Sequence, residues 1–100
     1  MAIMEISVVP VGTGGTSLSK YVARAFEVVR KSNLKYELTP MGTVIEGPID
    51  ELFNLAREIH EVCFSMGIKR VLTTIKIDDR RDREGTLEQK KRSVKEKLDV

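Results

Sequence analysis

A run of glycines and hydroxyl residues, Gly12 to Ser17 (GTGGTS), carries the strongest chemical signal in the chain. Its glycines can adopt positive φ angles, so successive backbone N–H groups can point at one spot, and the helix start beyond them adds partial positive charge. The hydroxyl groups of the run add further donors and acceptors. The run therefore predicts contacts to an anion or a small polar ligand. The residues expected to make these contacts are Thr13, Gly14, Gly15, Thr16 and Ser17.

The two common nucleotide motifs do not fit this run. A Walker A loop ends in Gly-Lys-Ser/Thr, and the dinucleotide fingerprint needs a third spaced glycine, neither of which is present. Lys20 is the nearest cation, but it lies inside the predicted helix and not at the P-loop lysine position. A chain of 100 residues is also too short for the full nucleotide-binding sheet. The alternative to a binding site is a flexible turn in which Thr16 or Ser17 caps the helix.

A second polar segment, Thr39 to Thr43 (TPMGT), lies between two short strand-like runs. We expect Thr39, Met41, Gly42 and Thr43 to approach the glycine run, with Ser7 of the first strand pointing into the same space. Hydroxyls, backbone amides and a methionine suit a neutral or weakly charged heteroaromatic ring better than they suit hydrolysis. Ordinary turn and cap hydrogen bonding by these hydroxyls remains an equal alternative.

Other candidate residues favour structural roles. The single cysteine, Cys63, lies in an apolar helical pattern, where a free cysteine packs as a small hydrophobe, although His60 one turn earlier could activate it. No second His or Cys lies at zinc-ligand spacing. The loop DDRRDREG from Asp78 to Gly85 interleaves arginines with its aspartates, which predicts surface ion pairs in preference to a Mg²⁺ or Ca²⁺ site. Three carboxylates near the suspected site form no recognisable acid–base pair: Glu5, Glu37 and Glu46.

The order of elements predicts a ferredoxin-like α+β fold. Alternating and helical apolar periodicities give β-α-β-β-α-β, a four-stranded antiparallel sheet with two helices on one face. The expected strands are 3–9, ended by Pro10, then 35–38, 43–46 and 70–77; the first helix runs from about Leu18 to Ser32, and the second runs from Pro48 to a C-cap at Gly67, with Met66 on its buried stripe. Thr86 caps a polar helix extending to about Leu98, which we expect at the domain edge or against a partner subunit.

Composition limits the partners and the location. A chain of 100 residues with 41% hydrophobic and 32% charged residues is one folded domain, residues 1–100, for which self-association would help stability. No apolar run reaches membrane-spanning length, and the first residues do not resemble a signal peptide, so we expect a cytoplasmic protein. The C-terminal basic residues alternate with acidic ones and lack aromatic neighbours, which argues against nucleic-acid binding.

Four segments together resemble the small thiamine-binding-protein-like family: VPVGTGGTSLSKYVARA, YELTPMGTVIEG, IHE and RVLTTIKIDDRRD. The resemblance covers nearly the whole chain. It implies a ferredoxin-like fold and homo-oligomers, most simply tetramers built as dimers of dimers. It also implies binding of thiamine or its hydroxymethylpyrimidine portion, as in some members of that family, without a well-established catalytic activity, and we expect no cofactor.

The leading prediction is thus a non-enzymatic binding protein whose glycine run and hairpin turn supply polar contacts. The runner-up is a structural or regulatory homo-oligomer that binds only sulfate or phosphate at the glycine run. An enzyme acting on a pyrimidine precursor, with Glu46 as its acid or base, stands third.

Overall fold

The computed structural model describes residues 1–15 and 18–98, and the chain there follows the order β-α-β-β-α-β-α. The elements are β1 (Ala2–Val11), α1 (Ser19–Lys31), β2 (Lys35–Thr39), β3 (Gly42–Gly47), α2 (Ile49–Phe64), β4 (Arg70–Asp79) and α3 (Leu87–Leu98). The predicted ferredoxin-like α+β fold is therefore confirmed. Within these residues, no helix combines the length and apolar character needed to cross a membrane.

The sheet has the strand order β2-β3-β1-β4, and all neighbouring strands are antiparallel. The apolar side chains of β1 that alternate toward one face meet α1 and α2, as the period of two requires. Met4, Ile45 and Leu52 are completely buried in this core. A smaller cluster around Tyr21, Cys63 and Ile68 closes the other end.

The first strand is longer than predicted, because Pro10 lies within it and does not end it. β1 pairs with β4 from Ala2↔Asp79 to Val11↔Arg70, whereas β3 pairs with β1 only as far as Ile6↔Thr43. At Pro10, β1 therefore has a neighbour on one side only. Proline is tolerated at such a position, because its missing N–H can face the side that has no partner strand.

The ends of the helices differ slightly from the predictions. Pro48 is the N-cap residue of α2, one position before the first helical residue. Gly67 does end the α2 region: it has φ +90, and the N–H of Ile68 donates to the carbonyl of Cys63 over 3.4 Å, as in a Schellman motif. Met66 lies beyond the helix and is half-buried against the smaller cluster. The predicted caps Thr16 and Ser17 lie outside the described residues, and Leu18 occupies the N-cap position of α1.

The polar helix α3 packs on the sheet face opposite α1 and α2. Its first residue, Leu87, is 6% exposed, and its N–H donates to the Glu46 carboxylate over 3.2 Å. Thr86 caps the helix as predicted, because its Oγ1 accepts the N–H of Gln89 over 3.0 Å. The rest of α3 is held by ion pairs to the same face: Lys35–Glu88, Glu37–Lys91 and Asp78–Lys90.

Candidate functional site

The described residues enclose an apolar cavity of about 200 Å³ between α1, β1 and the β2–β3 turn. Its floor is Ile6–Val9 of β1, with Ile59 of α2 behind it. One wall comes from α1 and the other from the turn. The wall residues are Val22, Ala25, Phe26 and Val29 from α1, and Leu38, Thr39, Pro40, Met41, Gly42 and Thr43 from the turn.

The cavity exists because the β2–β3 hairpin is shorter than β1. The last pair between β3 and β1 is Thr43↔Ile6, and beyond it the chain turns through Pro40 and Met41 while β1 continues to Val11. Gly42 lets this turn lie against β1, since a Cβ at Gly42 would be 2.8 Å from the Ile6 carbonyl oxygen. The space left beyond the turn becomes the cavity.

Hydroxyl groups supply the polar side chains of the lining. The Thr39 hydroxyl is committed to the turn, where it donates to the Gly42 carbonyl over 2.8 Å and accepts the Met41 N–H over 3.2 Å. Thr43 is half-buried and lies on the cavity side of the sheet, whereas Ser7 is half-buried and directs its side chain to the opposite face, as the alternation along β1 requires. No charged side chain is among the described lining residues. This combination suits a neutral, planar guest.

The mouth of the cavity is apolar and open to solvent. Met41 is 82% exposed and Leu38 is 58% exposed, with Val22 of α1 facing them. Behind this rim, the Phe26 ring meets the Tyr36 ring edge-on, with a centroid distance of 5.2 Å. That contact fixes Phe26 as a firm wall.

The structure brings one part of the predicted site together. Ser7, Thr39, Met41, Gly42 and Thr43 all line the cavity.

Thr13, Gly14 and Gly15 do not line it. The Thr13 hydroxyl instead donates to the Gly15 carbonyl over 3.0 Å, within the loop itself. Thr16 and Ser17 lie outside the described residues. The meeting of the glycine run with the turn therefore remains a prediction.

Sequence reasoning missed the contribution of α1 to the cavity. Val22 and Phe26 fit the helical apolar stripe, a pattern that by itself indicates core packing, yet Val22 is 44% exposed and both residues line the cavity. The feature of the sequence that could have indicated this cavity wall is the width of the apolar stripe on α1. It includes Leu18, Tyr21 and Ala25 as well, which is more apolar surface than one end of a short hairpin can cover.

The other candidates lie elsewhere and have structural partners. Glu46 is on the far face of the sheet, bonded to Leu87, and Glu37 there pairs with Lys91. His60 Nδ1 lies 2.7 Å from the Thr73 hydroxyl. Burial raises the pKa of the Cys63 thiol, which is the opposite of what a nucleophile needs.

The charged loop forms the ion pairs that its sequence predicts. Arg80 binds Asp82 with two hydrogen bonds of 2.8 and 2.6 Å, and Arg81 binds Asp79 over 2.9 Å. The Arg80 guanidinium holds the pKa of the Asp82 carboxyl far below its usual range. In the part of the chain that the structure describes, no group of three or more His, Cys, Asp or Glu residues is placed to hold a metal ion.

Comparison with known proteins gives the same family throughout. The family model described as thiamine-binding protein matches residues 4–95. A UPF0045 protein of Methanothermobacter thermautotrophicus is 48% identical, covering 98% of this chain and 100% of that protein. A UPF0045 protein of Bacillus subtilis is 44% identical, covering 98% of each chain.

Solved structures agree with these relatives. A hypothetical protein of Methanocaldococcus jannaschii has a TM-score of 0.87 at 41% identity, covering 93% of this chain and 94% of that one. A Thermotoga maritima protein with the provisional description "thiamine biosynthesis/salvage protein" has a TM-score of 0.77 at 28% identity, covering 93% and 97%. The chain therefore belongs to the thiamine-binding protein family, whose curated relatives here are UPF0045 proteins.

Proposed function

We propose that the protein is a non-enzymatic binding protein for thiamine or its hydroxymethylpyrimidine portion, and that the ligand ring occupies the cavity beside the β2–β3 turn. The observation that carries the proposal is the cavity itself, which has apolar walls, the half-buried hydroxyl residue Thr43 and no charged side chain in its described lining. Membership of a thiamine-binding family and the description of the Thermotoga maritima neighbour support the choice of ligand.

The size of the cavity favours a single ring. At about 200 Å³ it is below the 300–1,000 Å³ typical of sites for drug-sized ligands. A pyrimidine would lie against the Phe26 ring, and the remainder of thiamine would extend past Met41 into solvent. The exposed side chains at the mouth would then cover part of that remainder.

The positions of the carboxylates support binding without catalysis. General acid–base chemistry needs a titratable group within hydrogen-bond reach of the reacting atoms. Glu46, the candidate for such a role, lies on the opposite face of the sheet and accepts the N–H of Leu87.

Isothermal titration calorimetry with thiamine and with hydroxymethylpyrimidine tests the proposal. We expect a micromolar dissociation constant for at least one compound, weakened about fivefold by Thr43→Val, because one neutral hydrogen bond contributes about 1 kcal/mol. Thr74→Val is the matched control, since Thr74 is exposed on the far face of β4. The absence of heat or thermal shift for both compounds, well above micromolar concentration, would refute the proposal.

A second candidate, binding of simple anions, rests on the conformation of the glycine run. Gly12 and Gly14 have φ +80 and +79, a geometry that allows neighbouring N–H groups to converge. If the protein binds simple anions, sulfate or phosphate should raise its stability. Added chloride should remove this stabilisation, and Thr43→Val should leave it unchanged.

We also propose that the protein forms a homo-oligomer, with a tetramer as the expected state. Support comes from exposed apolar side chains, including the cross-strand pair Val9 and Leu72 on the open face of the sheet. Light scattering after size-exclusion chromatography tests this, and a monomer at micromolar concentration would contradict it.

A further inference from the structure

Val8 is one of the residues at the cavity floor, and it lies in the stretch of β1 that β3 does not reach. The register of β1 against β4 is uninterrupted from Ala2 to Val11, so the residues of β1 direct their backbone groups alternately to the two sides. The Ile6 carbonyl points toward β3, because it lies 2.8 Å from the position of a Cβ on Gly42. Val8, two residues later, must therefore present its N–H and C=O toward the same side.

No described residue of β3 is paired with β1 beyond Ile6. Continuing the register would place Met41 opposite Val8, but Met41 belongs to the turn, and its N–H donates to the Thr39 hydroxyl. The hydrogen-bonded ladder between β1 and β3 therefore ends at Ile6 and Thr43, before it reaches Val8. Among residues 1–15 and 18–98, no strand partner faces the N–H and C=O of Val8 on this side, at the floor of an otherwise apolar cavity where an unpaired polar group is costly.

We propose that Val8 recognises its ligand through this backbone pair, in the place of a missing strand residue. The ligand class is a planar ring that carries an acceptor nitrogen next to an exocyclic N–H donor. The Val8 N–H donates to the ring nitrogen, and the Val8 carbonyl accepts from the exocyclic amine. The inference rests on the proposed function, since it assigns the polar recognition within the same cavity.

This assignment makes the backbone the source of specificity, with the hydroxyls in a secondary role. The hydroxyl of Thr39 is already used in the turn, whereas the Val8 groups face the cavity in a fixed orientation set by the β1–β4 ladder. A rigid donor–acceptor pair rejects rings that lack the matching edge, because their binding would leave both backbone groups unpaired.

The first test uses backbone amide exchange in the free protein, followed by NMR. The Val8 amide should exchange at least tenfold faster than those of Ile6, Ser7 and Val9, since Ile6 is paired with β3, and Ser7 and Val9 are paired with β4. These three amides are matched internal controls on the same strand. Equal protection of Val8 would overturn the inference without touching the proposed function.

The second test compares three probes of one shape: 4-amino-5-hydroxymethyl-2-methylpyrimidine, its 4-methyl analogue, and the pyridine analogue that lacks the ring acceptor. We expect the aminopyrimidine to bind about tenfold more tightly than either analogue, and to slow exchange at Val8 alone among the four amides. Equal affinity for all three probes would refute the inference and leave the binding function intact. Absence of binding by all three probes, and by thiamine as well, would refute both.

A semisynthetic protein isolates the donor. Native chemical ligation at Cys63, the single cysteine, allows the Val8 amide to be replaced by an ester. The ester should bind the aminopyrimidine about tenfold more weakly than the native chain does, while the affinity for the pyridine analogue, which cannot accept the bond, stays within twofold. Parallel losses for both probes would contradict the assignment.

Discussion

Glu46 anchors α3 to the sheet, and its removal gives a prediction whose size can be worked out. Its carboxylate accepts the N–H of Leu87 over 3.2 Å, and the two residues are only 9% and 6% exposed. Glu46→Ala therefore leaves a buried N–H without an acceptor and removes a negative charge from a helix start. A hydrogen bond to a charged group contributes about 1.5–3 kcal/mol, and the charge near a helix N-terminus about 0.3–1 kcal/mol. Because these contributions overlap, we expect a loss of about 2 kcal/mol.

Urea unfolding followed by circular dichroism measures this loss. For a chain of this size the free energy of unfolding falls by about 2 kcal/mol per molar urea. A loss of about 2 kcal/mol should therefore lower the urea concentration at the unfolding midpoint by about 1 M. Glu46→Gln keeps an acceptor oxygen and should lose less than half as much. Glu37→Ala is the control, since Glu37 lies on the same face and contacts α3 through an exposed ion pair with Lys91, which contributes little.

A midpoint for Glu46→Ala within error of that for Glu37→Ala would refute this account of α3. The same variants separate anchoring from catalysis. If Glu46 only holds α3, the Gln variant binds the pyrimidine probe as tightly as the native chain does.

Three further predictions concern the turn, the thiol and the ion pairs. Gly42→Ala should cost about 1–3 kcal/mol in urea unfolding and weaken probe binding, since the new Cβ meets the Ile6 carbonyl at 2.8 Å; unchanged stability would contradict that contact. Cys63 should react with a thiol reagent at pH 8 only as fast as the protein unfolds, because burial raises its pKa; rapid reaction of the native protein would contradict this. Lys35 lowers the pKa of Glu88, so the stability from this pair is present above the ordinary Glu pKa of 4.5 and is lost as the pH falls through the lowered value. Proteolysis within α3 should accelerate in that acidic range, and Glu88→Gln should reduce the pH dependence, since the other carboxylates that hold α3 remain.

The element order could be predicted because strand and helix periodicities are local properties. The alternation in β1 and the 3.6-residue stripe of α2 are visible in the sequence without any knowledge of partners. The strand end at Pro10 could not be predicted, since proline's effect depends on whether a neighbouring strand lies opposite. That in turn depends on the length of a hairpin thirty residues away.

The candidate site was predictable only in part, for the same reason. The TPMGT segment and Ser7 contain the turn and hydroxyl residues that do line the cavity. The wall from Val22 and Phe26 was not predicted, because a core residue and a cavity residue have the same apolar character in a helical stripe. The position of Glu46 likewise required the register, since one residue's shift would place its side chain on the other face.

The central position of β1 has a consequence for the synthesis of the chain. β1 leaves the ribosome first, yet its longest ladder joins Ala2 to Asp79 and Val11 to Arg70, so its main partner emerges only after some seventy further residues. Pairing of two strands that are so far apart in the chain is slow. Until β4 pairs with it, β1 exposes apolar side chains and is prone to aggregation. The β2–β3 hairpin can meet β1 earlier, through the five pairs that end at Ile6 and Thr43. The β2–β3 hairpin can therefore pair with one edge of β1 during translation, before β4 completes the sheet.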